Sequence, residues 1–477
     1  MKNTMKNAMK TKLNTTCVLA LALVCLSGPT SLHAGEESVL SDVAKKTERP
    51  ASAPKYSDVC FRYGWIRESL PKMFWKDSAR GVEFPLISDA KKAIIGFHAT
   101  RIDWFYPGYH TANPDVEHVT QLSKDFIAWC HARGMKVIGA INTNTSTKEL
   151  GFKKAHFGRY VGDLNNPAFK EAMIAWGQQQ IDAGIDGLVC DDIFKYSNEQ
   201  KKVFAEEILD EIKALKPGFE IALNHGAFIE PRFVKAYGAE YHYSDNGFLP
   251  GPGRLWNASK AHRELKSAFL MHPNKNMSKT DRRRLLALAY GSGSHLIAPW
   301  DEYIHGKMKS GAAVPRLFAE PKEYADLYGF ARALGQLGYL DGYEDAAVAG
   351  YDLKENRYGS NAPIALSPAK TKVSVFARAM PGNADAPIVI HLTHMGNPQP
   401  FQLKLRKQNF FGDRSVRYQL LNRVPYTKEA HETAIDSGDY SKLAGKIDLQ
   451  AKDEGEYITL DIPAIHPWGV VIVAPAK

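Results

Sequence analysis

The amino-acid sequence predicts an α/β protein in which a (β/α)8 TIM barrel is followed by a C-terminal antiparallel β-sandwich. From about residue 90, eight short apolar runs that end in polar residues alternate with helix-like segments, a pattern typical of parallel βα units. From about residue 345, short β-rich runs are separated by Gly, Pro, Asn and Asp, which is typical of a sandwich. The chain of 477 residues is long enough for one large and one smaller domain.

The first 34 residues have the pattern of a signal peptide. Lysines precede the apolar run CVLALALVCL, and the small residues of SGPTSLHAG follow it, with a cleavage position after Ala34. The apolar run has about half of the ~20 residues that a membrane-spanning helix needs, and no later segment approaches that length. We therefore expect an exported protein, periplasmic or extracellular, with no transmembrane segment.

The rest of the chain divides into three predicted parts. Residues 35–57 are polar, contain two prolines and are expected to form a flexible linker. The catalytic barrel is predicted over residues 58–344 and the β-sandwich over residues 345–477. Within the barrel, apolar spacing predicts helices over 117–133 and 198–216, and Asn166 followed by Pro167 predicts a helix start.

Charge and cysteine content restrict the class of partner. Removing the four signal lysines from the 61 basic residues leaves 57 against 52 acidic ones, so the net charge falls from +9 to +5. This mild excess fits a solvated basic surface or an anionic glycan partner. The sequence has no dense Lys/Arg stripe interleaved with aromatic residues, which argues against a nucleic-acid partner. Cys60, Cys130 and Cys190 remain after signal cleavage, with no metal-ligand spacing, and we predict neither a metal nor an organic cofactor.

Polar side chains are concentrated at the ends of the eight predicted strands. These strands are AIIGFHA, KVIGAINT, GRYVGDL, GLVCDD, EIALNHG, AEYHYSDN, SAFLMHP and SHLIAPWDE. In a (β/α)8 barrel the functional groups come from the carboxyl ends of the strands, where the βα loops open. Carboxylates, amides, imidazoles and tryptophans together are typical of a sugar site. Asn142 and Asn144 are among the polar residues at the predicted strand ends. The predicted substrate-binding residues are His98, Asp103, Trp104, Asp163, Asp192, Asn224, His225, Trp300, Asp301 and Glu302.

Two carboxyl groups are the minimum for glycoside hydrolysis. One protonates the leaving oxygen, and the other attacks the anomeric carbon or activates a water. Asp191 and Asp245, on the predicted fourth and sixth strands, are the candidate catalytic pair. The side chains of successive strand residues face opposite sides, so Asp191 and Asp192 cannot both face the barrel axis in a regular strand, and Cys190 is expected in the core.

The segment GDLNNPAFKEAMIAWGQQQIDAGIDGLVCDD resembles the third-strand to fourth-strand passage of retaining barrel glycosidases of the α-amylase and α-galactosidase type. In those families a D-x-x-N-P helix start precedes a G-hydrophobic-x-x-D strand that bears the nucleophile, which implies Asp191. The segment YHYSDNG resembles the sixth-strand acid/base segment of the α-galactosidase clan, which implies Asp245 as the proton donor. DGLVCDD is also similar to the same strand in uncharacterised bacterial glycosidase-like barrel proteins. The sequence departs from these families at two positions. Val189 replaces the arginine of α-amylases and the lysine of α-galactosidases two positions before the nucleophile, and the fifth strand does not end in the glutamate that is the α-amylase acid.

Several alternatives remain open from the sequence. Asp192, rather than Asp191, could be the catalytic residue. Asp163 could brace the LNNP loop, and Asp245 could be a turn former in SDNG. The protein as a whole could be a catalytically degenerate glycan-binding barrel or a metal-dependent barrel hydrolase. The expected function is an exported glycoside hydrolase acting on a poly- or oligosaccharide, with an anionic glycan among the candidate substrates.

Overall fold

The computed structural model describes the chain from residue 54 to residue 476 with internal gaps. The described ranges are 54–70, 72, 76–77, 82–108, 119–145, 147–155, 159–224, 241–246, 268–273, 277–301, 316–318, 320–352, 357–358 and 363–476. The predicted signal peptide, most of the predicted linker, His225 and Glu302 lie outside these residues. For 76–77, 82, 145, 194, 241–246, 268–272, 345–352 and 357–358 the description concerns the backbone alone.

Eight parallel strands form a closed barrel, as the sequence predicts. Each strand pairs in parallel with the next one along the chain. The barrel closes where Phe61 of the first strand pairs in parallel with Ala298, just after the last. The strands are β1 (Cys60–Arg62), β2 (Arg101–Phe105), β3 (Lys136–Asn142), β4 (Gly187–Asp191), β5 (Glu220–Asn224), β6 (Tyr241–Asn246), β7 (Ala268–Pro273) and β8 (His295–Leu296).

Two of the predicted strands are wrong. The run AIIGFHA at 93–99 contains the end of the helix Ile87–Gly96, whose buried residues include Ala90, Ala93 and Ile94 at helical spacing. GRYVGDL contributes Tyr160–Gly162 to a small three-stranded antiparallel sheet outside the barrel. Short apolar runs do not distinguish a buried helix from a strand by periodicity. Two strands that were not predicted, β1 and β2, precede KVIGAINT in the barrel. GLVCD is therefore still the fourth barrel strand.

The outer helices begin where local capping chemistry predicts. Asn166 caps Pro167–Asp182 by accepting a hydrogen bond from the Ala168 amide, as expected for an Asn-Pro start. The region predicted as one helix over 198–216 comprises Asn198–Phe204, a π-helical turn and a further helix. The helices around the barrel are Ile87–Gly96, Gln121–His131, Pro167–Asp182, Asn198–Phe204, Asp210–Ala214, Lys279–Gly291 and Ala325–Gln336.

Side chains of the barrel strands divide between an outer layer and the barrel interior. Leu188 and Cys190 belong to the large core between strands and helices. Val189 belongs to a separate interior cluster with Ile138 and Ala222. Alternation along β4 therefore places Asp191 on the interior side and Cys190 in the core, the arrangement expected from the sequence.

The chain after residue 343 forms two antiparallel sheets, which confirms the predicted β-sandwich. A common core that includes Val375, Val471 and Leu403 lies between them. The larger sheet contains, in spatial order, the strands Arg357–Tyr358, Glu344–Asp352, Val373–Ala379, Ile388–His394, Trp468–Pro475, Val416–Arg423 and Ala444–Leu449. The smaller contains Ile364–Ser367, Phe401–Arg406, Tyr457–Ile462 and Ala451–Glu454. The short helix Lys407–Phe410 and the helix Lys428–Ser437 complete this region.

The barrel and the sandwich are in direct contact. The ring of Trp468 in the larger sheet lies 4.9 Å, between centroids, from Phe330 and 5.7 Å from Tyr290, which lie on two barrel helices. At another point of the contact, His98 Nε2 lies 2.6 Å from His431 Nδ1 in a buried hydrogen bond. None of the helices that the structure describes is long and apolar enough to cross a lipid bilayer.

Candidate active site

Asp191 lies at the carboxyl end of β4 and is held by three hydrogen-bond donors. Asn224 Nδ2, at the end of β5, donates to its Oδ1 at 2.8 Å, and Asn142 Nδ2, at the end of β3, donates to its Oδ2 at 3.2 Å. The backbone amide of Asp192 donates to Oδ1 at 2.8 Å. Three adjacent strands therefore fix one half-buried carboxylate at the position where barrel enzymes carry their functional groups.

Gly187 allows β4 to approach its neighbour closely. A Cβ atom at this position would lie 2.6 Å from the backbone oxygen of Glu220 on β5. A larger residue at position 187 would therefore clash with β5, which explains the glycine at the start of the GLVCD run. Asp191 lies at the other end of the same strand.

Asp192 directly follows Asp191, but its backbone conformation is not that of a β-strand. Its φ of 62° and ψ of 11° are left-handed, so the chain turns away from strand geometry directly after Asp191. Its carboxylate forms an ion pair with Lys195 at 3.1 Å and accepts a hydrogen bond from Asn142 Nδ2 at 3.0 Å. Asn144 Nδ2 also donates to it. Asn142 therefore bridges the two carboxylates, and both are accommodated at one strand end.

The pKa of the Asp191 carboxyl is raised above its ordinary value. Burial is the main cause, and the negative charge of Asp192 adds to it. The hydrogen bonds from Asn224 and from the Asp192 amide oppose this shift, as does the positive charge of Arg62. Burial and the Asp192 charge thus favour the protonated form of Asp191, whereas its hydrogen-bond donors and Arg62 favour the ionised form.

Aromatic rings and a guanidinium group surround this carboxyl. Arg62, at the end of β1, lies 4.7 Å from the centroid of the Trp104 ring. Trp104 Nε1 donates to Tyr106 Oη at 3.3 Å, and Tyr106 stacks on Trp65 with centroids 4.7 Å apart and planes 9° apart. Burial and the negative charge of Asp191 raise the pKa of the Tyr106 hydroxyl. Tyr106 and Arg62 therefore lie near enough to Asp191 for their charges to interact, while the rings of Trp104 and Tyr106 are buried in the interior cluster and Trp65 packs against it.

Asp245 lies near the carboxyl end of β6. The register pairs Ala222 with Tyr241 and Asn224 with Tyr243. Asp245 follows Tyr243 by two residues along β6. Its backbone pairs with that of His272 on β7.

His98 and Asp103 make their described side-chain contacts with groups other than Asp191. His98 precedes β2 at its amino end and contacts the C-terminal domain, so its predicted place at a strand's carboxyl end is wrong. Asp103 lies inside the barrel with no exposed surface and forms an ion pair with Arg101 at 3.0 Å. Arg101 also lies 3.2 Å from Glu220, which forms an ion pair with Lys136. We therefore correct the prediction that Asp103 binds substrate, because its carboxylate is fully buried in an ion-pair network with Arg101 and Glu220.

Trp300 and Asp301 also have structural contacts. Trp300 packs on Phe61, with ring centroids 6.0 Å apart, in the core between strands and helices. This is the face of β1 opposite to Arg62, so the prediction that the Trp300 ring lines the sugar pocket is corrected. Asp301 is buried and accepts a hydrogen bond from the amide of Gly64 at 2.6 Å, which holds the loop that follows β1.

Asp163 lies in the loop between β3 and its helix. Its carboxylate accepts a hydrogen bond from the Asn165 amide at 3.0 Å, and its amide donates to the Leu150 oxygen at 2.8 Å. These contacts match the alternative in which Asp163 braces the LNNP loop. Of the predicted substrate-binding residues, the structure gathers Trp104, Asp192 and Asn224 around Asp191.

Four residues around Asp191 were not predicted from the sequence. Lys195 follows the strand end by only four residues and could have been inferred as a partner for adjacent carboxylates. The other three end or follow β1 and β2, two strands that the sequence pattern did not reveal. The four residues are Arg62, Trp65, Tyr106 and Lys195. Across the part of the chain that the structure describes, no group of three His, Cys, Asp or Glu residues could hold a metal ion.

A barrel followed by a β-sandwich is also the architecture of several solved glycoside hydrolases to which this chain is similar in fold. An α-amylase from Anoxybacillus is similar with a TM-score of 0.58 at 12% identity, over 88% of this chain and 99% of that one. The α-amylase of Geobacillus thermoleovorans, solved with acarbose, gives 0.57 at 12% identity, again over 88% and 99%. A GH27 β-L-arabinopyranosidase from Geobacillus stearothermophilus, solved with arabinose, gives 0.51 at 11% identity, over 90% and 98%.

The likeness at these identities concerns the fold. No protein-family model matches the sequence, and no curated protein matches it significantly. The resemblance to barrel glycosidases that the sequence indicates is confirmed in three dimensions.

Proposed function

We propose that this protein is a glycoside hydrolase in which Asp191 is the nucleophile and Asp245 the acid/base. The observation that carries the proposal is the Asp191 carboxylate, fixed at the carboxyl end of the fourth barrel strand by amide donors from the strands on both sides. A nucleophilic carboxylate must point at the anomeric carbon in one orientation, and three donors on two oxygens fix that orientation.

The proposed reaction divides the work between the two carboxyl groups. Asp245 protonates the glycosidic oxygen as the bond to the anomeric carbon breaks, and Asp191 forms a covalent bond to that carbon. Water, deprotonated by Asp245, then releases the sugar. This retaining course requires the two carboxyls to lie ~5–5.5 Å apart, whereas ~6.5–9.5 Å is the separation in inverting enzymes.

Asp192 has a supporting role in this proposal. Its carboxylate pairs with Lys195 and orients Asn142, which in turn donates to Asp191. The Lys195 ammonium offsets part of the Asp192 charge, so that charge raises the pKa of Asp191 less than an unpaired carboxylate would. The register of the β4 strand favours Asp191 over Asp192 because the chain leaves the strand at Asp192.

The proposed substrate is a carbohydrate, because stacked rings and multiple amide donors suit sugar faces and hydroxyls. The related barrels include an α-amylase solved with acarbose and the AmyP protein solved with maltose. Arg62 and Lys195 place two cations near the site, which supports including anionic glycans among the substrates tested.

Incubation with a panel of aryl glycosides and of neutral, sulfated and uronic polysaccharides tests the proposal. We expect sugar release from at least one substrate and loss of that release in Asp191→Ala. Binding without product would instead indicate a degenerate glycan-binding barrel. Activity that EDTA abolishes would indicate a metal-dependent hydrolase.

We also propose that the protein is exported, on the basis of the lysines, the apolar run and the small residues in its first 34 positions. Amino-terminal sequencing of the mature protein from its native host should begin at Gly35. A mature protein that retains the first 34 residues would contradict export by this signal.

A further inference from the structure

A basic cavity lies where the barrel helix Lys279–Gly291 meets the C-terminal domain. Its volume is about 220 Å³, and none of its described lining residues is acidic. We propose that this cavity binds a tetrahedral oxyanion of the sulfate or phosphate type. The proposal is independent of the catalytic site. The basic lining residues are Arg283, Arg284, His394, Arg423 and His466.

His394 supplies the most specific support. Its side chain is 2% exposed, and its Nδ1 accepts a hydrogen bond from the Gly396 amide at 3.2 Å. In a neutral imidazole the other nitrogen then carries the proton, so Nε2 is a donor. Nε2 is buried and has no hydrogen-bond partner among the described residues. A buried donor without an acceptor is costly, and an anion in the cavity would supply the acceptor.

Two of the arginines share a single carboxylate. Asp326, 5% exposed at its side chain, lies 2.6 Å from Arg283 Nη2 and 2.7 Å from Arg423 Nη1. Two guanidinium groups against one carboxylate leave an excess positive charge at the cavity wall. Burial lowers the pKa of Arg423, Asp326 opposes this and the charge of Arg283 adds to it, as expected where cations crowd together. An oxyanion would balance that charge.

Arg284 and the helix start face the same cavity. Arg284 is fixed by an ion pair with Asp281 at 3.2 Å and by donation to the Gly396 oxygen at 2.8 Å. A guanidinium has five N–H groups, so these two contacts leave further donors. Thr280 lies in the first turn of the helix, where the helix dipole favours a negative charge.

Isothermal titration of the full-length protein with sodium sulfate and with sodium phosphate tests the proposal, at constant ionic strength set with chloride. We expect saturable binding of one anion per chain. Arg284→Gln should weaken the affinity about tenfold, the loss expected for one charge-assisted hydrogen bond. Arg417→Gln, which alters an exposed arginine of the same domain away from the cavity, should leave the affinity unchanged.

A second variant separates anion binding from folding. Thr280→Glu adds a negative charge at an exposed position in the first helical turn, where an acidic residue favours the helix. It should keep the unfolding temperature measured without sulfate and lose the stabilisation by sulfate that binding to the native state produces. Stronger binding of glucose 6-sulfate than of inorganic sulfate would identify a sulfate ester as the ligand, and the reverse order would identify the free anion. No saturable binding in the millimolar range, or equal affinity in Arg284→Gln and the unaltered protein, would overturn the proposal.

Discussion

Asp191 and Asp192 are adjacent acids with different surroundings, from which we infer different roles. Asp191 ends the strand, faces the barrel interior and receives donors from both neighbouring strands. Asp192 turns out of the strand and is paired with Lys195. The raised pKa of the Asp191 carboxyl arises from burial first and from the charge of Asp192 second. Replacing Asp192 therefore changes the protonation of Asp191 in a direction that can be measured.

The first prediction concerns the variant Asp192→Asn. Removing the neighbouring negative charge lowers the pKa of Asp191, so the nucleophile remains ionised to lower pH. We expect measurable activity and an acid limb of the kcat/KM profile displaced to lower pH. Asp210→Asn, on the exposed surface of an outer helix, should leave the profile unchanged. An acid limb that stays in place or moves to higher pH in Asp192→Asn would contradict the coupling.

At the scale of elements, the interior of the barrel has two polar layers. The layer at the carboxyl end holds Asp191 and its donors. The layer at the amino end holds the ion pairs of Arg101 with Asp103 and Glu220. Apolar residues such as Val189 and Ala222 separate the two layers. In this layer Arg101, Asp103 and Glu220 have almost no exposed surface, so we assign these ion pairs to the stability of the strands.

The second prediction follows for Asp103→Asn. Arg101 keeps its ion pair with Glu220 in this variant but loses its charge-assisted hydrogen bonds to the Asp103 carboxylate, so we expect a loss of about 1.5–3 kcal/mol of unfolding free energy. Urea unfolding should show this loss, while KM on any substrate that the protein hydrolyses stays unchanged at a temperature where the variant is folded. Asp182→Asn, at an exposed helix end, is the matched control. A raised KM with unaltered stability would restore Asp103 as a substrate-binding residue.

Element assignment shows what the sequence could and could not predict. The run GLVCD is bounded by a glycine and by carboxylates, and its strand, its place as the fourth strand and the inward face of Asp191 could all be predicted. The strand at Cys60–Arg62 has only three residues, so no alternation was visible, and Arg62 and Trp65 were missed with it. The sequence could not predict whether the Trp300 ring faces the barrel interior or the surrounding core, because that depends on the register between β8 and β1.

At the scale of the whole molecule, a buried histidine pair joins the barrel to the C-terminal domain. His98 lies at the amino side of the barrel, and His431 lies on the helix Lys428–Ser437. Burial, followed by the charges of His431 and Arg332, lowers the pKa of His98 to about 3. Burial also lowers the pKa of His431, against the opposing charge of Asp326. Both imidazoles are therefore neutral in the folded protein over a pH range where unfolded histidines are charged.

The third prediction is a loss of stability in acid that depends on this pair. A depressed pKa in the folded state means that the unfolded chain binds more protons below pH ~6.5, so stability is full above that value and falls as the pH drops toward 3. In His98→Gln the dependence of unfolding free energy on pH should become shallower by up to about 1.4 kcal/mol per pH unit between about pH 4 and 6. Arg417→Gln, at an exposed position of the C-terminal domain, should retain the original slope. An unaltered slope in His98→Gln would exclude the pair as a source of acid sensitivity.

The central claim, that Asp191 forms the covalent glycosyl bond, is tested most directly by azide rescue of Asp191→Ala with an activated aryl glycoside. The small anion should enter the space left by the carboxylate and attack the anomeric carbon, restoring turnover and giving a glycosyl azide of inverted configuration that NMR identifies. Asp192→Ala under the same conditions should form no azide product. A dead, azide-rescued Asp192→Ala beside an active Asp191→Ala would contradict the account and assign the nucleophile to Asp192.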